Sequence, residues 1–287
     1  MKEEEYSFED GKLTVVDETL GISFQEDFSP LRIPEDFEST CELSRDVFLK
    51  VNEESREVYI EKERKFCGQY RLYYPEGILK GESFYKKGKL HGPSHYYSLE
   101  GKLLSEAWYI NGLRQGKSTQ YYNSGEVYSR QSHVNGLEEG LQAYFFENAS
   151  VKSLMHYKRG ALHGQTKLFS DNAMLKREIS FLEGKKKGIE RQWYEEGQML
   201  FEAEFDGEIP RGTHRRWHPN GQLAEERFYL KDANQMNIKQ WNVDGVLLRE
   251  GLYEGKLYRH SMWNTKGELM EEKQGSWDGK KVIWKDK

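Results

Sequence analysis

The stretch Gly188–Gly212, GIERQWYEEGQMLFEAEFDGEIPRG, decides the fold. It reads as one β-hairpin and the step into the next. Laid out in rows of 24 from Gly68, Gly92, Gly116, Gly140, Gly164, Gly188 and Gly212, with further rows from Met236 and Tyr258, the sequence falls into columns. The sixth column is aromatic throughout: Tyr73, Tyr97, Tyr121, Phe145, Phe169, Trp193, Trp217, Trp241 and Trp263. The tenth is Gly or Ala, as in Gly77, Gly101, Ala149, Ala173 and Gly197. The twelfth is aliphatic or Met, as in Leu79, Leu103, Val127, Met199 and Leu223.

Turn chemistry supplies the reason for the spacing. Tyr74-Pro75-Glu76-Gly77 and His218-Pro219-Asn220-Gly221 carry Pro where φ must be near −65° and Gly where it turns positive, the pattern of a three-residue hairpin loop. Such a loop sets Tyr73 opposite Leu79 and Trp217 opposite Leu223, a cross-strand pair worth roughly 0.2–1 kcal/mol beyond burial. Strict alternation from the aliphatic column adds a third ring to the same face: Tyr85, Tyr109, Tyr157, Phe181, Phe205, Tyr229 and Tyr253. These three columns are the expected core, with Trp193 packed on Met199 and Phe205. A second turn closes each row, as in Asn111-Gly112, Asn135-Gly136 and Arg159-Gly160. One row cannot bury its apolar face alone, so rows must stack. The expected fold is therefore all-β: an elongated single-layer antiparallel meander of hairpin repeats over residues 68–287, about nine rows at roughly 9–10 Å each.

The columns built from Gly92, Tyr97, Gly101, Leu103, Glu106, Tyr109 and Gly112, with the row-closing His91-Gly92 and His163-Gly164, resemble the variant MORN repeat of bacterial proteins, YwqK-type antitoxins among them. The pattern is broken at Ala149 and Ala173, which lack the turn glycine, and at Lys231–Gln235. The resemblance implies a single-layer sheet used for binding, oligomerisation or membrane association. It implies no catalytic residue and no cofactor.

Composition agrees with a thin sheet stapled by rings: 36% hydrophobic and 14% aromatic residues. No apolar run is long enough for a membrane helix. Met1-Lys2-Glu3-Glu4-Glu5 lacks the regions of a signal peptide, and two cysteines, Cys41 and Cys67, are too few for a disulfide scaffold. A cytoplasmic location is expected, with export as an effector by a dedicated machine as the alternative. Residues 1–67 carry 9 Lys and Arg against 19 Asp and Glu, and copy the repeat poorly. They read as an acidic, β-rich capping region, with hairpins at Asp10-Gly11 and between Val47–Val51 and Glu57–Ile60, and an irregular loop over Phe28–Phe37.

Two surfaces are candidates for binding. By strand parity Tyr74, Phe84, Tyr96, Trp108, Tyr122, Tyr144 and Phe146 gather on the face away from the core, and a contiguous aromatic patch marks a partner surface. On that face Glu82, Glu106, Glu178, Glu202, Glu226 and Glu250 form a column expected to pair with nearby cations. A basic ladder, Lys167, Lys187, Arg191, Arg211, Arg215 and Lys239, offers a place for anions. His91 and His95, or His214 and His218, stand four apart, which on a strand is about 13 Å and too far to share a metal. Phosphate-loop, dinucleotide and nucleophile signatures are absent. The expected function is a non-enzymatic scaffold for protein–protein interaction, antitoxin-like or effector-like. Self-association, an anionic-lipid surface and carbohydrate are the alternatives; nucleic acid is not expected.

Overall fold

The computed structural model describes residues 5–9, 12–17, 22–27, 33, 35, 38–229, 236–278 and 281–285. Every regular element among them is a β-strand. The chain divides into two compact units, Met1–Ala149 and Ser150–Lys287. In the first unit Glu5–Glu9, Lys12–Asp17 and Ile22–Asp27 form a three-stranded antiparallel sheet. The Asp10-Gly11 turn and most of the Phe28–Phe37 loop lie outside the described residues.

From Thr40 onward the strands within each unit form antiparallel pairs between neighbours in sequence, the two-residue strands Leu113–Arg114 and Leu137–Glu138 pairing only with the strand before them among the described residues. Thr40–Ser44, Val47–Asn52 and Glu57–Lys62 lead directly into Lys65–Tyr73, Leu79–Lys86 and Lys89–Tyr97. The series runs on through Leu103–Ile110 to Val127–Val134 in the first unit. In the second unit it runs from Val151–Lys158 to Val282–Trp284 in the same manner. The driest apolar cluster is Leu49, Val58 and Ile60, with Cys41, Val47, Val51 and Tyr73 around it. It lies in the stretch that copies the repeat least well, where ordinary alternating strands bury aliphatic side chains instead of rings.

The turns stand where the sequence puts them. Gly77 N–H donates to Tyr74 O and Tyr74 N–H to Ile78 O, closing a three-residue loop with Gly77 at φ 79°. Asn111 and Gly112 take φ 51° and 86°, the pair of positive values of a type I′ turn. At the two positions lacking glycine the backbone keeps the same shape. Ala149 is held at φ 63° and Ala173 at φ 64°, a left-handed conformation that costs an L-residue about 1–2 kcal/mol. Glycine relieves that cost but loses more entropy on folding. Ala173→Gly and Ala149→Gly should each stabilise the protein by about 0.5–1 kcal/mol, read as a higher urea midpoint with an unchanged slope.

Cross-strand pairing of the aromatic and aliphatic columns is as expected: Tyr73 faces Leu79, Trp193 faces Met199, Trp217 faces Leu223 and Trp263 faces Leu269. The third ring is not on that face. Tyr73 pairs with Leu79 but Leu72 pairs with Gly81, so Lys80 is an extra residue, a β-bulge. The same bulge recurs at Leu104, Tyr128, Lys176, Leu200 and Met270. One extra residue reverses the alternation for the rest of the strand. Tyr85 therefore shares a face with Tyr70 and Ser83, opposite to Tyr73, and Phe205 lies on the face away from Trp193.

The two faces differ in their rings. The tryptophan face carries the aromatic–aliphatic pairs together with Arg71, Glu82 and Phe84 in its first row. The tyrosine face carries Tyr85 and its equivalents beside a central stripe of small or polar residues, including buried Ser83, Ser94, Ser118, Ser129 and Ala203. Rings lie flat over this stripe. A Cβ on Gly81 would stand 3.2 Å from the Tyr96 ring, and one on Gly251 would stand 3.0 Å from the Tyr258 hydroxyl. These rings keep part of the backbone beneath them dry.

Candidate functional site

The bulge divides the seven candidate partner-binding rings between the faces, so they do not form one patch. Phe84 and Trp108 sit on the tryptophan face, opposite Gln69 and Pro93 in register, and are 3% and 7% exposed. They are core residues, and the expectation of an exposed anchor at Trp108 is corrected. Tyr74, Tyr96, Tyr122 and Tyr144 belong to the tyrosine face. Tyr144 Oη accepts from Gln131 Nε2 at 2.7 Å, and Phe146 is half-buried beside the tight turn. Only Tyr96, at 48%, is an exposed ring of this set.

Tyr74 and Tyr122 have a structural task that the sequence did not disclose. Tyr74 Oη donates to Tyr97 O at 3.0 Å, and Tyr122 Oη donates to Phe145 O at 2.8 Å. Tyr194 does the same to Trp217 O at 2.9 Å, and His218 Nε2 reaches Trp241 O at 3.0 Å. Each is a staple from one row to the aromatic column of the next. Where this column holds Ser or Asn, the side chain turns back on its own loop: Asn242 Oδ1 accepts from Asp244 N–H and Val246 N–H.

The basic ladder is matched by the glutamates across the strand. Lys167 lies 3.4 Å from Glu178, Arg191 lies 2.8 Å from Glu202 and 3.6 Å from Glu178, Arg215 lies 2.9 Å from Glu226, and Lys239 lies 3.0 Å from Glu250. Lys187 is 2.7 Å from Asp206, and Arg211 stands opposite Glu204 in register. These pairs are partly solvated and each contributes at most about 1 kcal/mol. Their more direct consequence is electrostatic. A ladder with a carboxylate beside each cation presents no uniform positive field to a polyanion or an anionic bilayer.

Glu190 departs furthest from expectation. Strand alternation alone puts it on the face away from Trp193, where an exposed side chain is expected, yet it is 3% exposed at the centre of the tyrosine face. Its carboxylate accepts from Lys186 Nζ at 2.8 Å, Arg177 Nη2 at 2.6 Å and Gln192 Nε2 at 2.8 Å. Burial alone would raise its pKa; the three donors outweigh it and hold the group below its ordinary value. Glu225, in the next row, is held low in the same way, burial being overcome by Arg227, Gln240 and Arg216.

Other exposed apolar side chains of the first unit include Ile33, Leu43, Ile78 and Leu99, and a set of leucines at the row-closing turns. Leu113 is 50% and Leu137 51% exposed, each directly after an Asn-Gly turn, and Leu141 is close behind. A Cβ on Gly136 would touch Leu113 at 3.4 Å, so Leu113 lies against the turn that precedes Leu137. Leu113 and Leu137 open the short strands Leu113–Arg114 and Leu137–Glu138, paired back across the turn to Ile110 and Val134, and belong to none of the columns read from the sequence. The signal was an apolar residue following Asn-Gly, where Lys89 and Lys185 stand in other rows.

With this geometry in hand, the chain can be compared with known proteins. Three segments, residues 66–87, 186–206 and 210–231, match the MORN repeat variant family. Each is one row as defined by the turns. MORN repeats are in general repeats of protein or membrane interaction. No curated protein matches the chain. Among solved structures, the crystal structure of TcdB2-TccC3 without its hypervariable C-terminal region is similar at 10% identity, with a TM-score of 0.19. The match covers 96% of this chain but 17% of that one, and at such a TM-score it says nothing about function.

Proposed function

We propose that the protein is a non-enzymatic scaffold for protein–protein interaction, and that one binding surface is the leucine edge of the first unit. The observation that carries this is that Leu113 and Leu137, each directly after the turn of its row, are both half in water, with Leu113 against the Gly136 that precedes Leu137. Apolar side chains set side by side in solvent lose free energy to any partner that covers them, at about 25 cal/mol per Å² of apolar surface removed from water. The matched cations of the ladder speak against an anionic surface as the main ligand. An antitoxin-like or effector-like role, and a cytoplasmic site of action, remain within this reading.

The triple variant Leu113→Ser, Leu137→Ser, Leu141→Ser tests it. None of the three side chains fills a cavity, so the melting temperature should stay within a degree or two of wild type. Cross-linking in extracts of the native host followed by mass spectrometry should show at least one prominent partner lost. Recovery of the same partners in the same amounts by the variant would overturn the assignment of this edge.

A further inference from the structure

In three consecutive rows of the first unit, the residue that follows the row-closing turn lies against the turn of the next row. A Cβ on Gly88 would stand 3.5 Å from Lys65 Cβ, one on Gly112 would stand 3.9 Å from Lys89 Cβ, and one on Gly136 would stand 3.4 Å from Leu113. Each of these turns also donates back to the row before it: Gly88 N–H to Phe66 O at 2.9 Å, Gly112 N–H to Leu90 O at 2.7 Å and Gly136 N–H to Arg114 O at 2.8 Å. Lys65, Lys89, Leu113 and Leu137 therefore follow one another along one edge, at steps of two strands or about 9–10 Å. The leucine edge continues a lysine edge.

Charge at the lysine end is concentrated and unmatched. Lys62 stands directly opposite Lys65 across one turn, and Lys86 directly opposite Lys89 across the next. Arg64 and Lys87 sit at the turn tips, with φ 58° and 50°. Like charges directly opposite one another work against the strand pair that carries them. Lys62, Arg64, Lys65, Lys87 and Lys89 are exposed, and none has an ion pair among the described residues; Lys86 is half-buried and makes an interaction of its own. The nearby acids do not offset these cations. Glu61 is taken by Lys50 at 2.7 Å, Asp46 lies 3.9 Å from Arg45, and Glu63 is the one acid within the two turns. The ladder of the second unit differs, since a carboxylate stands beside each of its cations.

Cations whose neighbours are cations gain from an anion laid across them, and apolar side chains in water gain from being covered. We propose that the segment of a partner protein that covers Leu113 and Leu137 carries a run of acidic residues, which lies on Lys65, Lys87 and Lys89. An anionic bilayer suits the edge less well, because the turns over 62–65, 86–89, 110–113 and 134–137 hold no aromatic residue to seat at a headgroup boundary. The inference rests on the leucine-edge reading and adds to it the charge of the partner.

The test uses the full chain and labelled peptides of about nine residues, long enough at about 3.3 Å per residue to run from Lys65 to Leu137. The acidic peptide is Ac-Glu-Asp-Glu-Glu-Gly-Leu-Ser-Leu-Leu-NH2, paired with its reversed sequence because the edge sets no chain direction. Neutral controls carry Gln and Asn in place of Glu and Asp. By fluorescence anisotropy, one acidic peptide should bind at least about tenfold more tightly than its control, a margin that raised salt removes. Lys65→Glu with Lys89→Glu should abolish the margin. That variant should melt no lower than wild type, because each change turns a like-charge pair into an opposite one. The triple leucine variant should weaken every peptide. Equal binding of acidic and neutral peptides, a margin that survives the lysine changes, full binding by the leucine variant, or no binding of any peptide would overturn the inference. So would co-sedimentation with phosphatidylserine–phosphatidylcholine vesicles that the lysine variant loses, which would give the edge to a bilayer. The leucine edge itself is judged by the separate capture of host partners, so its failure is told apart from a failure here.

Discussion

Trp108→Ala should unfold far more easily than wild type, by about 3–5 kcal/mol in chemical denaturation, the range for deleting a buried large ring. The residue is 7% exposed on the tryptophan face, opposite Pro93, in the same column as buried Phe84 one row earlier. Its removal opens a void that neighbouring rows cannot fill, because the bulge at Leu104 fixes the strand on which it stands. Tyr96→Ala provides the contrast. That ring is half in water on the other face, and its loss uncovers the backbone at Gly81 without emptying a cavity. It should cost about 1 kcal/mol or less. Equal effects at the two positions, or a Trp108→Ala protein that melts as wild type does, would show that the faces are wrongly assigned.

The contrast also marks what the sequence could and could not disclose. Turns were legible because each is set by three or four adjacent residues, as at Tyr74–Gly77 and Asn111-Gly112. The pairing of Trp193 with Met199 followed, since a short loop fixes its own register. Face assignment beyond the loop was not legible. The bulge at Lys80 or Leu200 carries no glycine and no proline, so parity counted through it places Phe205 beside Trp193 and Phe84 among exposed rings. A single uncounted residue then inverted the candidate surface. The role of Tyr74 and Tyr122 escaped for a different reason: a hydroxyl staple to the next row depends on the distance between rows, not on any local pattern. The matching of Arg191 to Glu202 was the exception, because cation and glutamate columns face each other directly once the loop is fixed. The position of Phe201 and Phe205 on the tyrosine face could not be foreseen, since parity counted through the bulge puts both on the face of Trp193.

Glu190→Ala, which parity suggests as a harmless surface change, should be among the most damaging substitutions in the second unit. It removes the acceptor shared by Arg177, Lys186 and Gln192. Breaking a buried ion pair costs roughly 3–5 kcal/mol, because the remaining charge is left uncompensated. Here Arg177 and Lys186 are each about a third exposed and regain some water, so a cost below that range, about 2–3 kcal/mol, is expected. Glu190→Gln keeps the shape and one acceptor and should fall between. The pH dependence separates charge from packing. A carboxyl whose folded pKa lies below the unfolded value of 4.5 stabilises the fold fully above pH 4.5 and loses that contribution as pH falls through the folded value. The advantage of wild type over Glu190→Gln should therefore hold from neutral pH to about 4.5 and shrink below it. Other groups titrate on the way. Burial lowers the pKa of His95, His133 and His260, so both proteins lose stability as pH falls below 6.5, the ordinary value for His. That loss is common to the two proteins and cancels in their difference at each pH. A difference that stays constant from pH 7 to pH 3 would mean that Glu190 contributes through packing alone, and that its contacts with Arg177 and Lys186 do not stabilise the fold.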